Sequence, residues 1–371
     1  MGRRGVAAGL AVGSCLTWNV TNVGAVADPL SEVYGVSLAA VGLLTTALFV
    51  THLAVQLPAG RGADRFGARA VALAAIGTTL LGSALLLLDD SFALALVGRA
   101  FVGIGSGAGF VAGFDLVRAG GGGPFLQGVY GGATMVGGGL ALMIVPTLTE
   151  AEGWRAAYWS AAVLALAASV PVAAAGGLPR IGHAAERVVG DAQLLRFGVL
   201  QAATFGLAVV AGNWAVPLLE RQGVDAGRAG LAAGLILFAG IVTRPSGGWV
   251  AGRGGQKPAV AVALLGVALG AALLAVGGPL WLSIAGACVL GLAAGLPFAV
   301  VFAAVQRLRP DAPGTAIAVV NAAAILVILV GTPVAGLTFE LPGGGRIAFA
   351  SIAALAVAAL TALRSARLEP G

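Results

Sequence analysis

The 371-residue chain predicts an all-α polytopic membrane protein, with twelve transmembrane helices in two pseudo-symmetric six-helix bundles. Three observations predict it. The chain is 59% hydrophobic and only 10% charged, with a mean hydropathy of +0.99, whereas a soluble domain carries roughly 25% charge. Its apolar runs repeatedly reach the roughly 20 residues that cross about 30 Å of hydrocarbon as a helix, without the short alternating segments of a membrane barrel. Finally, a basic, glycine-rich turn (Gly60-Arg61-Gly62-Ala63-Asp64-Arg65-Phe66-Gly67-Ala68-Arg69) recurs in worn form 188 residues later, as Ala251-Gly252-Arg253-Gly254-Gly255-Gln256-Lys257. Each copy sits between two apolar runs, which implies two equivalent bundles.

In chain order, the apolar runs place span 1 at 5–27 and span 2 at 38–58, with boundaries read to a few residues. Spans 3 and 4 take 70–88 and 92–113; spans 5 and 6 take 124–147 and 156–175. A polar connector at 176–195 carries Arg180, His183, Glu186, Arg187 and Asp191. Spans 7 to 12 follow at 196–217, 228–250, 258–277, 279–303, 313–336 and 345–363. As domains, the N-terminal bundle is expected over 1–178, a cytoplasmic connector over 179–195 and the C-terminal bundle over 196–371. The opening Met1-Gly2-Arg3-Arg4 before an apolar run reads as an uncleaved first helix.

The basic residues test this count. With these spans, 15 loop and terminal Arg and Lys fall on one side, against Arg155, Arg221, Arg228 and Arg346 on the other. The richer side is expected to be cytoplasmic, with both termini there. The halves also match in detail: Gly103, Gly107 and Phe110 of span 4 reappear as Gly291, Gly295 and Phe298 of span 10, again 188 residues on. Gly153, Arg155, Ala157 and Tyr158 echo Gly344, Arg346, Ala348 and Phe349 at an offset of 191. Order and direction are kept, so the repeat is parallel, about an axis along the membrane normal, as in rocking transporters with a midplane site.

Composition excludes other classes. The 60 glycines show no Gly-X-Y period and suit close helix packing in lipid. The net charge of +6 resides in loop arginines and is not interleaved with aromatics, so no nucleic-acid partner is expected. Cys15 and Cys288 are lone packing residues inside apolar runs. Two histidines 131 residues apart offer no metal site, and no HExxH, GxSxG or Walker pattern appears. No cofactor and no enzyme activity are expected, and transport is not driven by ATP hydrolysis on this chain.

Gly60 through Arg69 resembles the helix 2–3 signature of the major facilitator superfamily: a glycine, then Asp-Arg-x-Gly, then a basic residue. Gly98-Arg99 with Gly103, Gly105, Gly107 and Gly109 is similar to that family's helix 4 motif, and Gly153-Trp154-Arg155 is common before its helix 6. The resemblance covers essentially the whole chain and implies the major facilitator fold. It also implies a conformational latch of Gly60, Asp64, Arg65, Gly67, Arg69 and Arg118, in which Asp64 accepts from Arg118. The second copy has Gly252 where the first has Asp64, so its latch is weaker or differently made.

Two arginines lie deep in spans, Arg99 and Arg244, with no acid equally deep. An intramembrane arginine is expensive and marks a functional site; a guanidinium grips a carboxylate or oxyanion in bidentate fashion. Arg244-Pro245-Ser246-Gly247-Gly248 resembles the helix 8 segment of the nitrate/nitrite and cyanate porter branches. Gln56 stands where nitrate porters carry a second arginine, and their Asn-Gly signature is absent from 128–146, so a cyanate-porter-like or general organic-anion carrier fits better. Trp18, Asn19, Asn22, Asn213 and Trp214 are further candidates to line the cavity, with helix-interface hydrogen bonding as the alternative. For proton coupling, His52 and Asp28 are the candidates.

The expected activity is secondary transport of a small organic or inorganic anion through the cytoplasmic membrane by rocker-switch alternating access, with or without a symported proton. The alternative is multidrug or cationic-metabolite efflux by proton antiport. The expected partners are the small solute and the lipid bilayer, and the family default is a monomer.

Overall fold

The computed structural model describes residues 2–23, 26–175, 188, 190–224 and 226–369. All regular structure among them is helical. In chain order it comprises α1 (Gly2–Thr21), α2 (Ala27–Tyr34), α3 (Leu38–Phe66), α4 (Ala68–Leu88), α5 (Phe92–Ala119), α6 (Pro124–Glu152) and α7 (Ala156–Ala174). Then follow α8 (Ala192–Arg221), α9 (Ala226–Ala251), α10 (Gln256–Val276), α11 (Leu280–Leu308), α12 (Pro313–Leu337) and α13 (Arg346–Ser365). All but the eight-residue α2 have 19 residues or more, and 19 residues at 1.5 Å each already reach about 28 Å. Nine of them, among the described residues, are apolar enough throughout to cross a membrane.

Local chemistry sets the boundaries. Ser37 and Ser91 begin α3 and α5 by accepting from the backbone N–H of Ala40 and Leu94, and Asp191 begins α8 by accepting from Gln193 and Leu194. Pro124 opens α6 at a position where its missing N–H is no loss. Two helices carry internal irregularities: α8 contains a π turn at Ala202–Gly206, and α11 is interrupted at Leu296, just before Pro297.

Three sequence expectations change. The Gly60–Arg69 stretch is not a loop: α3 runs helically through Phe66, and the turn shrinks to Gly67, whose φ of 91° suits glycine. Span 1 ends early, at Thr21, and its outer part instead enters the separate helix α2. Of the polar connector, Arg180, His183, Glu186 and Arg187 lie outside the described residues.

The chain divides into two compact units. Unit 1 comprises 1–126, 133–186 and 311–318; unit 2 comprises 127–132, 187–310 and 319–371. In unit 1, α5 is the central helix, packed on α1, α3 and α4. In unit 2, α11 packs on α9 and α10, and α10 on α13. Glycines bring these helices together. A methyl group on Gly103 would lie 2.3 Å from the Leu48 carbonyl oxygen, and one on Gly107 would lie 2.5 Å from that of His52. In unit 2 a methyl on Gly291 would lie 2.4 Å from the Ile236 carbonyl oxygen, and one on Gly295 would lie 2.7 Å from that of Gly240. Each residue of one contact lies 188 positions from its counterpart. The repeat seen in sequence is therefore a repeat of backbone contacts, which lipid-embedded helices need because apolar burial does not hold them together.

Candidate functional site

In unit 2 the site is built around Arg244, seven residues from the C-terminal end of α9. Its side chain is fully buried. Nη1 donates to the Gly131 carbonyl at 2.6 Å, and the guanidinium lies over the rings of Phe298 and Phe205, 4.3 and 5.0 Å from their centroids. Two glycines of α6 allow this approach: a methyl on Gly128 would lie 2.3 Å from the Arg244 carbonyl oxygen, and one on Gly131 would lie 2.5 Å from the Phe298 ring. Phe205 belongs to the π turn of α8. Gln201, just before that turn, and Asn321 on α12 are buried with neither amide atom hydrogen-bonded. A planar cation between aromatic faces is held in orientation by its ring contacts, and two uncommitted amides can both donate and accept.

In unit 1, Arg99 is wholly buried in α5. Nε donates to the Leu44 carbonyl and Nη1 to Asn22 Oδ1, both at 3.3 Å. Asn22 in turn donates to the Ala157 carbonyl at 2.8 Å, and Trp18 Nε1 donates to Ser160 Oγ at 3.2 Å. Asn19 donates to the Cys15 carbonyl of its own helix. One turn apart on α3, His52 and Gln56 are both buried. His52 Nδ1 pairs with Ser106 Oγ at 2.8 Å, while its Nε2 and both amide atoms of Gln56 have no partner. Of Asp28, only the backbone, within α2, is described.

The structure brings Arg99, Asn22 and Trp18 into one network of α1, α5 and α7. It separates Asn213 and Trp214 from Arg244: both bind Thr332 near the far end of α8, and Asn213 is exposed. The partner expected for Asp64 is corrected. Asp64 is almost fully buried and accepts from the backbone N–H of Gly314 and Thr315, each at 2.9 Å, and from Thr315 Oγ1 at 2.6 Å. Those N–H groups belong to the first turn of α12, which lacks intrahelical acceptors and favours an anion. Arg118 instead donates to Asp115 at 2.5 Å, three residues before it on the same helix. Gly60 lets α3 reach that turn, since a methyl there would lie 2.6 Å from the Gly314 carbonyl oxygen. Arg69 donates to the Ala173 carbonyl, and Arg65 lies over Phe66.

The second copy of the motif is differently made. Gln127 Nε2 donates to Gln306 Oε1 at 2.9 Å, a neutral amide pair, within unit 2. Sequence reasoning missed Gln127, Gln306, Gln201, Asn321 and Thr315. The signal was available for two of them, since Gln201 and Asn321 are isolated amides inside long apolar runs. Among the described residues no group of three His, Cys, Asp or Glu could hold a metal ion.

Membrane-length helices, a parallel internal repeat and buried polar side chains on helix faces define a multi-pass helical membrane transporter. The sequence profile of the Major Facilitator Superfamily matches residues 7–202, more than half of the 371 residues, and the chain belongs to that superfamily. No curated protein sequence matches it. Among solved structures, the crystal structure of the human organic anion transporter MFSD10 (TETRAN) aligns with a TM-score of 0.78, over 98% of this chain and 99% of that one, at 18% identity. At that identity the likeness is one of fold.

Proposed function

We propose that this major facilitator is a secondary active transporter of a small organic or inorganic anion, working by rocker-switch alternating access. The observation that carries the reading is Arg244: a buried guanidinium, clasped by Phe205 and Phe298 and oriented by the Gly131 carbonyl. A charge about 10 Å into a helix of a membrane protein is costly to keep and marks a solute pathway, and the fork of donors suits a carboxylate or oxyanion. Gln201 and Asn321 offer neutral hydrogen-bonding groups in the same unit. Arg99, by contrast, is knit into unit 1 through Leu44 and Asn22. MFSD10 is described as an organic anion transporter, which agrees with this class. The Arg244-Pro245 resemblance narrows it toward a cyanate-porter-like or organic-anion carrier.

The Asp64 contacts serve as the conformational latch, breaking and re-forming in the transport cycle. His52, with Nε2 uncommitted, and Asp28 remain the proton-coupling candidates. The excess of loop arginines on one side supports a cytoplasmic-membrane location with both termini cytoplasmic. The deciding experiment is uptake into proteoliposomes of nitrate, nitrite, cyanate and short mono- and dicarboxylates, by the native chain and Arg244→Ala, at two imposed pH gradients. Saturable uptake of one anion, lost in the variant, is expected. Uptake of neutral or cationic solutes alone, or full anion uptake by Arg244→Ala, sinks the reading.

A further inference from the structure

We propose that unit 1 binds a small inorganic anion of the halide class, held by Arg99 and the Tyr34–Tyr158 hydroxyl pair as a resident counter-ion distinct from the transported solute. The argument begins with charge. Arg99 is wholly buried, its two acceptors are neutral oxygens, and its Nη2 has no hydrogen-bond partner. A lone buried charge is strongly destabilising unless it is paired. Among the described residues, no carboxylate pairs with it. The nearest acid acting on this cluster, Asp90, acts on Tyr34, but its carboxylate is bonded to Arg155 Nη2 at 2.7 Å.

The second part of the site is the pair of phenols. Tyr34 and Tyr158 hydroxyls lie 3.2 Å apart, and both interact electrostatically with the Arg99 guanidinium. Their mutual bond uses one of two O–H protons, so one phenol proton is uncommitted. Two guanidinium N–H groups and one phenol O–H thus belong to the same buried cluster, and none of them has an acceptor.

The surroundings set the class of anion. Tyr34 packs against Phe92 and Trp154, and Trp154 against Tyr158, with ring centroids 5.8 to 5.9 Å apart in tilted or edge-on contact. Ring edges carry partial positive charge and tolerate an anion that ring faces repel. Tyr158 is 1% exposed and Tyr34 9%. Packing this close admits a single-atom anion far more readily than a carboxylate or nitrate. Because Arg99 touches Leu44 of α3 and Asn22 after α1, and the phenols come from α2 and α7, the ion would tie five helical elements of unit 1 together.

The test is thermal unfolding of the full-length protein in detergent, in gluconate and with chloride or bromide titrated in. A saturable rise of the melting temperature with either halide, kept in Arg244→Ala, is expected. The Tyr34→Phe/Tyr158→Phe variant keeps the rings and loses both hydroxyls; its halide affinity should fall at least about tenfold, the loss of one hydrogen bond to a charged group. Arg99→Gln should abolish the response, and if that variant does not fold the phenylalanine variant carries the test alone. Equal melting in gluconate and halide overturns the proposal, as does an unchanged response in the phenylalanine variant. Loss of the response in Arg244→Ala overturns it too, because the ion would then belong to the transport site. A bromide anomalous-scattering peak beside Arg99 is the direct readout.

Discussion

Asp64→Asn is the substitution whose consequence the structure specifies most closely. The carboxylate accepts three hydrogen bonds, from Gly314 N, Thr315 N and Thr315 Oγ1, in a site that is 1% exposed. An asparagine of the same shape has one acceptor oxygen and turns an NH2 group toward the remaining donor. At least one bond to a charged group is lost and a buried N–H is orphaned, which together cost about 2–4 kcal/mol. Losing the charge beside the first turn of α12 removes about 0.3–1 kcal/mol more. Lower thermal stability of the purified protein and a changed uptake rate should appear together. Thr315→Val isolates one bond: in that background Asp64→Asn should be less damaging, with a coupling of about 0.5–3 kcal/mol. If Asp64→Asn melts and transports like the native chain, the carboxylate is not holding α12, and the latch reading fails with it.

Three other substitutions have definite outcomes. Arg244→Lys keeps the charge but loses the planar stack between Phe205 and Phe298, so anion uptake should fall at least about tenfold; normal uptake would show that a point charge suffices. Gly107→Val puts a side chain into the His52 carbonyl, where even a methyl would lie at 2.5 Å, and should destabilise the protein by at least about 2 kcal/mol, read as a lower melting temperature. Gln201→Leu and Asn321→Leu replace buried amides that have no partner; melting should be unchanged or raised, while the apparent solute affinity falls. A clear loss of stability in either would mean that its amide is structural.

The fold was legible because a membrane helix declares itself by length and apolarity, and because the glycine offset records backbone contacts that tolerate no side chain. Gly103 against Leu48 and Gly291 against Ile236 are the clearest case. The sites were legible only as depth. Arg99 and Arg244 stand out in any apolar run, but what surrounds a buried guanidinium depends on helix rotation, which spacing within one span does not fix. Trp18 and Asn22 therefore fell correctly beside α7, whereas Asn213 and Trp214, chemically similar, face Thr332 instead. The Asp64 partner was illegible for another reason. Two of its three donors are backbone N–H groups, which carry no residue identity, so a search among basic side chains finds Arg118 and misses α12.

Where the repeat breaks, chemistry has been placed. Residues 188 apart (Gln56 and Arg244, Asp64 and Gly252, Arg118 and Gln306, Thr315 and Gln127) differ in charge or hydrogen-bonding capacity, while the glycine contacts around them do not differ. Restoring symmetry at one such position tests whether the sequence repeat or the local backbone governs. Gly252→Asp would recreate the missing acid on paper. In the structure α3 continues past Asp64 to Phe66, whereas α9 stops at Ala251, leaving Gly252 exposed in a turn. The position is not that of a buried helix residue facing a helix start, and the neutral Gln127–Gln306 bond already occupies the corresponding pair of sites. Gly252→Asp should thus change stability by no more than about 0.5 kcal/mol, as for a surface substitution, and leave uptake unaltered. A melting temperature well above the native value would mean that the new carboxylate has found a helix terminus, and that the two motif copies are closer in geometry than their helix ends indicate.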